Sequence, residues 1–278
     1  MARILVLAHL ALMLLLGANP SQASKAVYTL AVVPQFTTVD IAQRWTPLLD
    51  RIAQETGVRF QIRTSHDIPS FESEFLNGIP DFVFLNPYHM VMAAKAQSYV
   101  PLIRSRRNLS GILVVGKNSP VTRVADLDGA TIAFPAPNAF GASLYMRALL
   151  SEQEKLVYTA NYVGTHQNTY RHVIFGDAQA GGGVASTLES ESPGVREQLR
   201  VLYHTPEAPS HPLAAHPRVP KAVIRAVVTA LQRMDHDAAG RALLKQVELE
   251  GAVAAHYDRD YAPLEKLNLE RYVVRRQR

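Results

Sequence analysis

Strand-like and helix-like segments alternate along this chain, and that alternation limits the fold more than any other feature. Residues 28–33 form a β-rich run that stops at Pro34. A helical stretch over 39–56 follows, with apolar residues at spacings of three and four. Asp81–Leu85 is apolar after the aspartate, as in a strand buried on both faces of a parallel sheet. This order predicts a doubly wound α/β lobe.

The same alternation begins again near Gly111 and continues for about a hundred residues. We therefore predict an α/β fold of two lobes, with the second lobe inserted into the first. Lobe 1 would comprise residues 27–112 and 212–278, and lobe 2 residues 113–211. Prolines are frequent where the chain returns to lobe 1, and they would stiffen that hinge crossing.

The N-terminal segment, residues 1–23, has the pattern of a secretory signal peptide. Arg3 precedes an apolar run over 4–16, and Ser21-Gln22-Ala23 gives a small-residue cleavage site. A membrane anchor is the alternative, but the run is shorter than the roughly 20 residues that span a bilayer. We predict cleavage and a periplasmic mature protein.

Composition excludes several other classes. The chain has no cysteine, which rules out disulfides, thiol chemistry and lipid attachment at an N-terminal cysteine. The net charge of +5 is modest, and no basic run is interleaved with aromatic residues, so nucleic-acid binding is not expected. The terminal 275–278 is interpreted as a solvated basic tail. We expect a monomer.

A ligand would bind where strands end and helices begin, because in open α/β sheets that edge forms the crevice. Helices starting there present free backbone N–H groups and a positive dipole end, which suit an anion. Seven polar side chains in these loops are candidate ligand-binding residues: Gln35, Thr37, Asn86, Tyr88, Asn138, Ser143 and His166.

An ordered set of motifs along nearly the whole mature chain resembles the periplasmic substrate-binding proteins of phosphonate, phosphite and phosphate ABC transporters. The resemblance implies a type II two-lobed periplasmic-binding-protein fold, in agreement with the alternation. The motifs are Val32-Val33-Pro34-Gln35, Asp81–Tyr88, Asp126–Pro135, Gly164-Thr165-His166 and His211–Pro217.

The ligand residues that this resemblance implies are only partly present. His166 matches the family's ligand histidine, and Tyr88 lies in a matching loop. The family's Ser-Thr-Ser run is replaced by residues 138–141, and Gln179 stands where the family has an aspartate. Losing several charged hydrogen bonds should weaken phosphonate binding. Phe140 indicates a more apolar ligand wall.

Each candidate also has a structural interpretation. His166 is either a ligand contact or a turn residue. It is also a candidate proton switch, since histidine titrates near neutral pH. Asn138 either contacts ligand or caps the following helix, and Gln35 and Thr37 could likewise serve a helix cap. Asn86 and Tyr88 either line the cleft or shape their turn.

Enzymatic and metal chemistry find little support. Ser143, His166 and Asp177 are the residue types of a hydrolytic triad, but no Gly-x-Ser-x-Gly elbow exists. His211 and His216 belong to no His-Glu-x-x-His motif. Residues 181–183 are consecutive glycines that lack nucleotide-loop spacing and favour close backbone approach. We predict no catalytic residue, no metal and no cofactor.

Two functions fit these observations. The first is an extracytoplasmic solute-binding protein that captures a small, preferably anionic ligand between the lobes and delivers it to an ABC permease. The second is a sensory module of the same fold that reports ligand occupancy to a membrane histidine kinase. The sequence does not separate them.

Overall fold

A computed structural model describes residues 26–274. The strands are β1 (Val27–Val32), β2 (Arg59–Thr64), β3 (Phe82–Phe84), β4 (Val100–Arg104), β5 (Gly111–Gly116), β6 (Thr131–Phe134), β7 (Thr159–Tyr162), β8 (Ala180–Val184), β9 (Leu199–His204), β10 (Pro212–Ala215) and β11 (Val253–Ala254). The α-helices are α1 (Thr38–Thr56), α2 (Ile68–Leu76), α3 (Pro87–Gln97), α4 (Tyr145–Glu152), α5 (His166–Phe175), α6 (Ala185–Glu189), α7 (Pro193–Arg196), α8 (Lys221–Met234) and α9 (Ala238–Gln246). The signal-peptide prediction and the basic tail lie outside the described residues.

Two sheets form the cores of the two lobes. The first has the order β11-β4-β10-β3-β1-β2, and the second β7-β6-β8-β5-β9. Strands of the first sheet come from both sides of the second in sequence, so the predicted two-lobed α/β architecture with an inserted lobe is confirmed. The two crossing segments pair with each other through the backbone of Leu109 and Ala208, at N···O distances of 2.7 and 2.9 Å.

Helix α1 shows why the sequence pattern was informative. Thr37 caps its start by accepting a hydrogen bond from the Asp40 N–H at 3.2 Å, and Gly57 ends it with a φ of 74°. The predicted apolar stripe is the buried face of the helix. It consists of Ile41, Trp45, Leu48, Leu49 and Ile52.

Sheet direction departs from a purely parallel arrangement. Strand β3 pairs in parallel with β1 on one side, as its apolar run predicted, but pairs antiparallel with β10 on the other. Because β10 runs the opposite way, its beginning lies at the same sheet edge as the ends of β1 and β3. The residue before β10 therefore reaches the edge where ligands bind in such folds.

The consecutive glycines in β8 let backbone and rings approach closely, as predicted. A Cβ on Gly182 would lie 2.0 Å from the Ala142 carbonyl oxygen, and one on Gly183 would lie 2.3 Å from the Tyr170 hydroxyl. Strand β8 thus packs directly beneath the π-helical turn Phe140–Leu144 that precedes α4.

Candidate functional site

A small cavity lies between the lobes at the ends of their strands, and we call it the inner compartment. Its volume is about 10 Å³, which is room for about one water molecule. Its polar lining is Gln35, Asn86, His166 and His211, and the rest is apolar, proline or glycine, with Phe140 the bulkiest. Within the described part of the chain, no Asp, Glu, Lys or Arg lines it.

Three of the predicted ligand residues meet at this compartment. Gln35 follows β1 and is 7% exposed. Asn86 precedes α3, where its Oδ1 accepts from the His89 N–H at 2.8 Å and caps the helix. Asn86 therefore both caps a helix and lines the cavity.

His166 is the first residue of α5 and is 3% exposed. Its Nδ1 lies 3.2 Å from the Thr187 hydroxyl, which donates to the Val184 carbonyl oxygen at 2.9 Å. The Tyr170 hydroxyl lies 2.7 Å from the same Thr187 oxygen and can donate to it. With the Thr187 proton directed to Val184, the ring proton of His166 lies on Nδ1 and Nε2 is an acceptor. Burial lowers the pKa of His166 to about 4, so the ring is neutral at pH 7.

His211 is the lining residue that sequence reasoning missed. It was counted in a family motif and weighed with His216 as a metal ligand, but it was not included among the ligand-binding candidates. It directly precedes β10, is 5% exposed, and its ring stacks on Phe84 with centroids 5.6 Å apart. Burial, with smaller contributions from His166 and His89, lowers its pKa to about 3. Only the direction of β10 brings it to the cavity.

The other predicted residues lie elsewhere. Thr37 is exposed at the α1 cap. Tyr88 lies in the first turn of α3 and is buried in the hydrophobic core. Ser143 is fully buried in the π-helical turn, where its Oγ accepts from Arg147 Nε at 3.2 Å. The structure does not bring these three side chains to the inner compartment.

Asn138 joins the lobes instead of lining the cavity. Its Oδ1 accepts from the Val274 N–H at 3.0 Å, and its Nδ2 donates to the Val274 carbonyl oxygen and to Glu72 Oε1, both at 2.9 Å. Its own carbonyl oxygen accepts from Asn86 Nδ2 at 3.1 Å. Four hydrogen bonds thus tie one lobe 2 residue to lobe 1.

The end of the described chain, residues 271–274, adds further links, and we call it the C-terminal strap. Arg147 donates to the Tyr272 carbonyl oxygen at 2.7 Å. Arg271 forms an ion pair with Glu152. Arg147 and Glu152 both belong to α4, so these contacts fasten the strap to that helix of lobe 2.

A second, wider cavity adjoins the inner compartment at Val184 and His211, and we call it the outer compartment. It has a volume of about 460 Å³ and lies along the hinge crossings. Its charged lining is Arg107, Glu189, Glu207, Lys245, Glu248 and Glu250. Arg107 pairs with Glu189 at 2.5 Å, and burial raises the pKa of Glu248.

In residues 26–274, no cluster of three or more His, Asp or Glu side chains is arranged to hold a metal ion. Over the same residues, each helix is too short or too polar to cross a bilayer.

Solved structures share this architecture. A binding-protein component of an ABC phosphonate transporter from Pseudomonas aeruginosa superposes with a TM-score of 0.79 at 13% identity, covering 88% of this chain and 87% of that one. A Prochlorococcus marinus protein, solved in complex with methylphosphonate, superposes with a TM-score of 0.80 at 14% identity, covering 90% of this chain and 100% of that one. A Xanthomonas citri protein bound to chloride superposes with a TM-score of 0.70 at 17% identity, covering 88% of this chain and 98% of that one. At these identities the likeness establishes the shared two-lobed type II fold.

The sequence itself matches a family over most of its length. Residues 30–261 match the family described as ABC transporter, phosphonate, periplasmic substrate-binding protein. The match spans both lobes and includes each residue that lines the inner compartment. The chain therefore belongs to the periplasmic substrate-binding proteins of phosphonate ABC transporters.

Proposed function

We propose that this protein is the extracytoplasmic receptor of an ABC importer and captures a small oxyanion in the inner compartment. The observation that carries the proposal is the position of that compartment. Both lobes contribute buried polar groups at strand ends, Gln35 from lobe 1 and His166 from lobe 2. His211 adds a third at the return crossing, where it stacks on Phe84 of lobe 1. A solute held by both sides stabilises lobe closure.

The chemistry of the lining supports an anion. A buried carboxylate beside the solute would repel it, and no acidic side chain among residues 26–274 lines the inner compartment. Phosphonates and related tetrahedral oxyanions are therefore the solutes we propose. The solved Prochlorococcus marinus relative holds methylphosphonate, which makes that compound the natural first ligand to test.

The cavity is too small for such a solute without a change of shape. A volume of about 10 Å³ holds about one water molecule, whereas a phosphonate needs several times that. We infer that the lobes separate to admit the solute and that Phe140, which packs into the cleft, moves with lobe 2.

Location and partners follow from the same proposal. The segment 1–23 would direct export and be cleaved, and the mature protein would carry no lipid on an N-terminal cysteine, since the sequence has no cysteine. The mature protein would then be a periplasmic monomer that meets a membrane permease. Lobe closure would equally serve a membrane histidine kinase, but membership of a transporter family favours the importer.

A thermal-shift screen of the mature protein tests the proposal. The ligands are methylphosphonate, phosphite, phosphate, small sulfonates and small carboxylates. A solute present at 100 times its Kd should add about 2.7 kcal/mol to the free energy of unfolding. We expect oxyanions of phosphorus to raise the melting temperature. If none of these solutes shifts it, the receptor proposal is wrong.

A further inference from the structure

Two histidines from opposite sides of the cleft face the inner compartment. His166 begins α5 in lobe 2, and His211 precedes β10 at the return to lobe 1. Both side chains are more than nine-tenths buried. Since the lining described above is otherwise uncharged, these two rings are the titratable groups that a bound solute would touch.

Their hydrogen bonds leave ring nitrogens available. His166 uses Nδ1 for Thr187, so its Nε2 remains. Within residues 26–274, His211 forms no hydrogen bond through either ring nitrogen, although its face stacks on Phe84. A neutral His166 with its proton on Nδ1 presents an acceptor at Nε2. It donates to a solute oxygen only after gaining a proton.

Charged groups near the pair lie on the outer side. The crossings present Arg107 and Glu207 to the outer compartment, and α6 presents Glu189. Helix α9 presents Lys245, and the segment after it presents Glu248 and Glu250. Arg107 is paired with Glu189. On the inner side, His89 is bound to Glu72 at 2.9 Å. None of these charges lines the inner compartment, so none supplies a compensating positive charge there.

We infer that the His166–His211 pair takes up one proton from solvent when a dianionic solute binds, so that capture of the solute is coupled to protonation of the site. This inference rests on the proposed function and specifies how the same site is regulated. Burying a dianion among uncharged groups is unfavourable, and an imidazolium both neutralises charge and adds an N–H donor to those of the neutral rings.

The state of the rings before binding is consistent with this coupling. Burial lowers the pKa of His166 to about 4 and that of His211 to about 3, so both are neutral over the physiological range. The complex then holds one more proton than the separated protein and dianion. Affinity for the dianion must therefore fall as pH rises, by about tenfold per pH unit.

Isothermal titration calorimetry with methylphosphonate measures the proton directly. The mature wild-type protein is titrated above the second ionisation of the ligand, in buffers matched in pH but different in ionisation enthalpy. We expect an uptake of about one proton per bound solute. Tight binding without proton uptake would overturn the inference and leave the receptor function intact. Absence of binding by methylphosphonate, phosphite and phosphate would overturn both.

Two variants and one control locate the proton. His211→Asn and His166→Asn each retain a polar side chain, and we expect at least one of them to reduce the proton uptake by half or more. His236→Asn, on an exposed histidine, should leave it unchanged. Should either variant lose binding altogether, the histidine ring signals of the wild-type protein, followed by NMR during titration, still report protonation. Neutral rings in the saturated complex would contradict the inference.

Discussion

The inner and outer compartments are neighbours with opposite chemistry. The inner one is about 10 Å³ and has no charged lining residue, and Asn138 bonds to Val274 next to its lining residue Ala139. The outer one is about 460 Å³, lies along the hinge crossings and is lined by charged side chains that stay near water. The difference indicates that a solute loses its water in the inner compartment. Polar contacts are stronger there because the dielectric constant is low, whereas water and salt screen them in the outer compartment.

The two compartments also differ in what joins the lobes there. On the inner side, Asn138 makes hydrogen bonds to Glu72 and Val274, and the packing around Phe140 continues the core of lobe 1. On the outer side, the link is an ion pair between Arg107 and Glu189, side chains that are about half exposed. We therefore expect substitutions on the inner side to affect function more.

The largest effect on stability and binding is expected from a substitution at Gly182, where strand β8 packs tightly under the inner compartment. Gly182→Ala places a Cβ 2.0 Å from the Ala142 carbonyl oxygen, and Ala142 lines the compartment. Overpacking of this kind costs about 1–3 kcal/mol or more. We expect a loss of folding stability in urea unfolding, together with weaker solute binding.

The matched control is Gly116→Ala in the neighbouring strand β5. A Cβ there has no heavy atom within 4 Å. Its unfolding midpoint should stay close to that of the wild type. Equal destabilisation by the two substitutions would contradict the close approach as the cause.

The next effect concerns the solute itself. His166→Ala removes a hydrogen-bonding group from the inner compartment, and such a bond to a charged ligand contributes about 1.5–3 kcal/mol. Affinity for methylphosphonate, measured by calorimetry, should fall by about tenfold to a hundredfold. Ser190→Ala, in the outer compartment, is the control and should leave it unchanged. Unchanged affinity in His166→Ala would remove this residue from the site.

A smaller effect is expected from the lobe-to-lobe contact. Asn138→Ala removes three side-chain hydrogen bonds across the boundary and leaves Glu72 with one partner fewer. Losing such partners costs about 1–3 kcal/mol. The closed form should become less populated, so small-angle X-ray scattering of the solute-free protein should show a larger radius of gyration. Asn118→Ala, on an exposed loop, is the control. An equal radius of gyration in both variants would contradict the claim that Asn138 holds the lobes together.

The smallest effect is expected at the outer compartment. Arg107→Ala breaks an exposed ion pair with Glu189, and such pairs contribute about 0–1 kcal/mol. The affinity for methylphosphonate should change by less than about fivefold, and less still at high salt. A loss as large as that of His166→Ala would reverse the assignment of the two compartments.

The sequence predicted what depends on local patterns. Spacing of apolar residues located α1, and the glycine run in β8 indicated close packing. His211 was missed because its place depends on the antiparallel direction of β10, a pairing between residues more than a hundred positions apart. Asn138 was expected to contact ligand or to cap a helix. Its hydrogen bonds to Val274 were not foreseen, because the two residues are 136 positions apart in the chain. Long-range pairing of this kind leaves no periodic trace in a sequence.

The most direct test of the account is a crystal structure of the mature protein with methylphosphonate. The account predicts the phosphonyl oxygens between the lobes, within hydrogen-bond distance of His166 and His211, in an inner compartment enlarged to hold them. A ligand bound only among the charged side chains of the outer compartment, with the inner compartment unchanged, would contradict it.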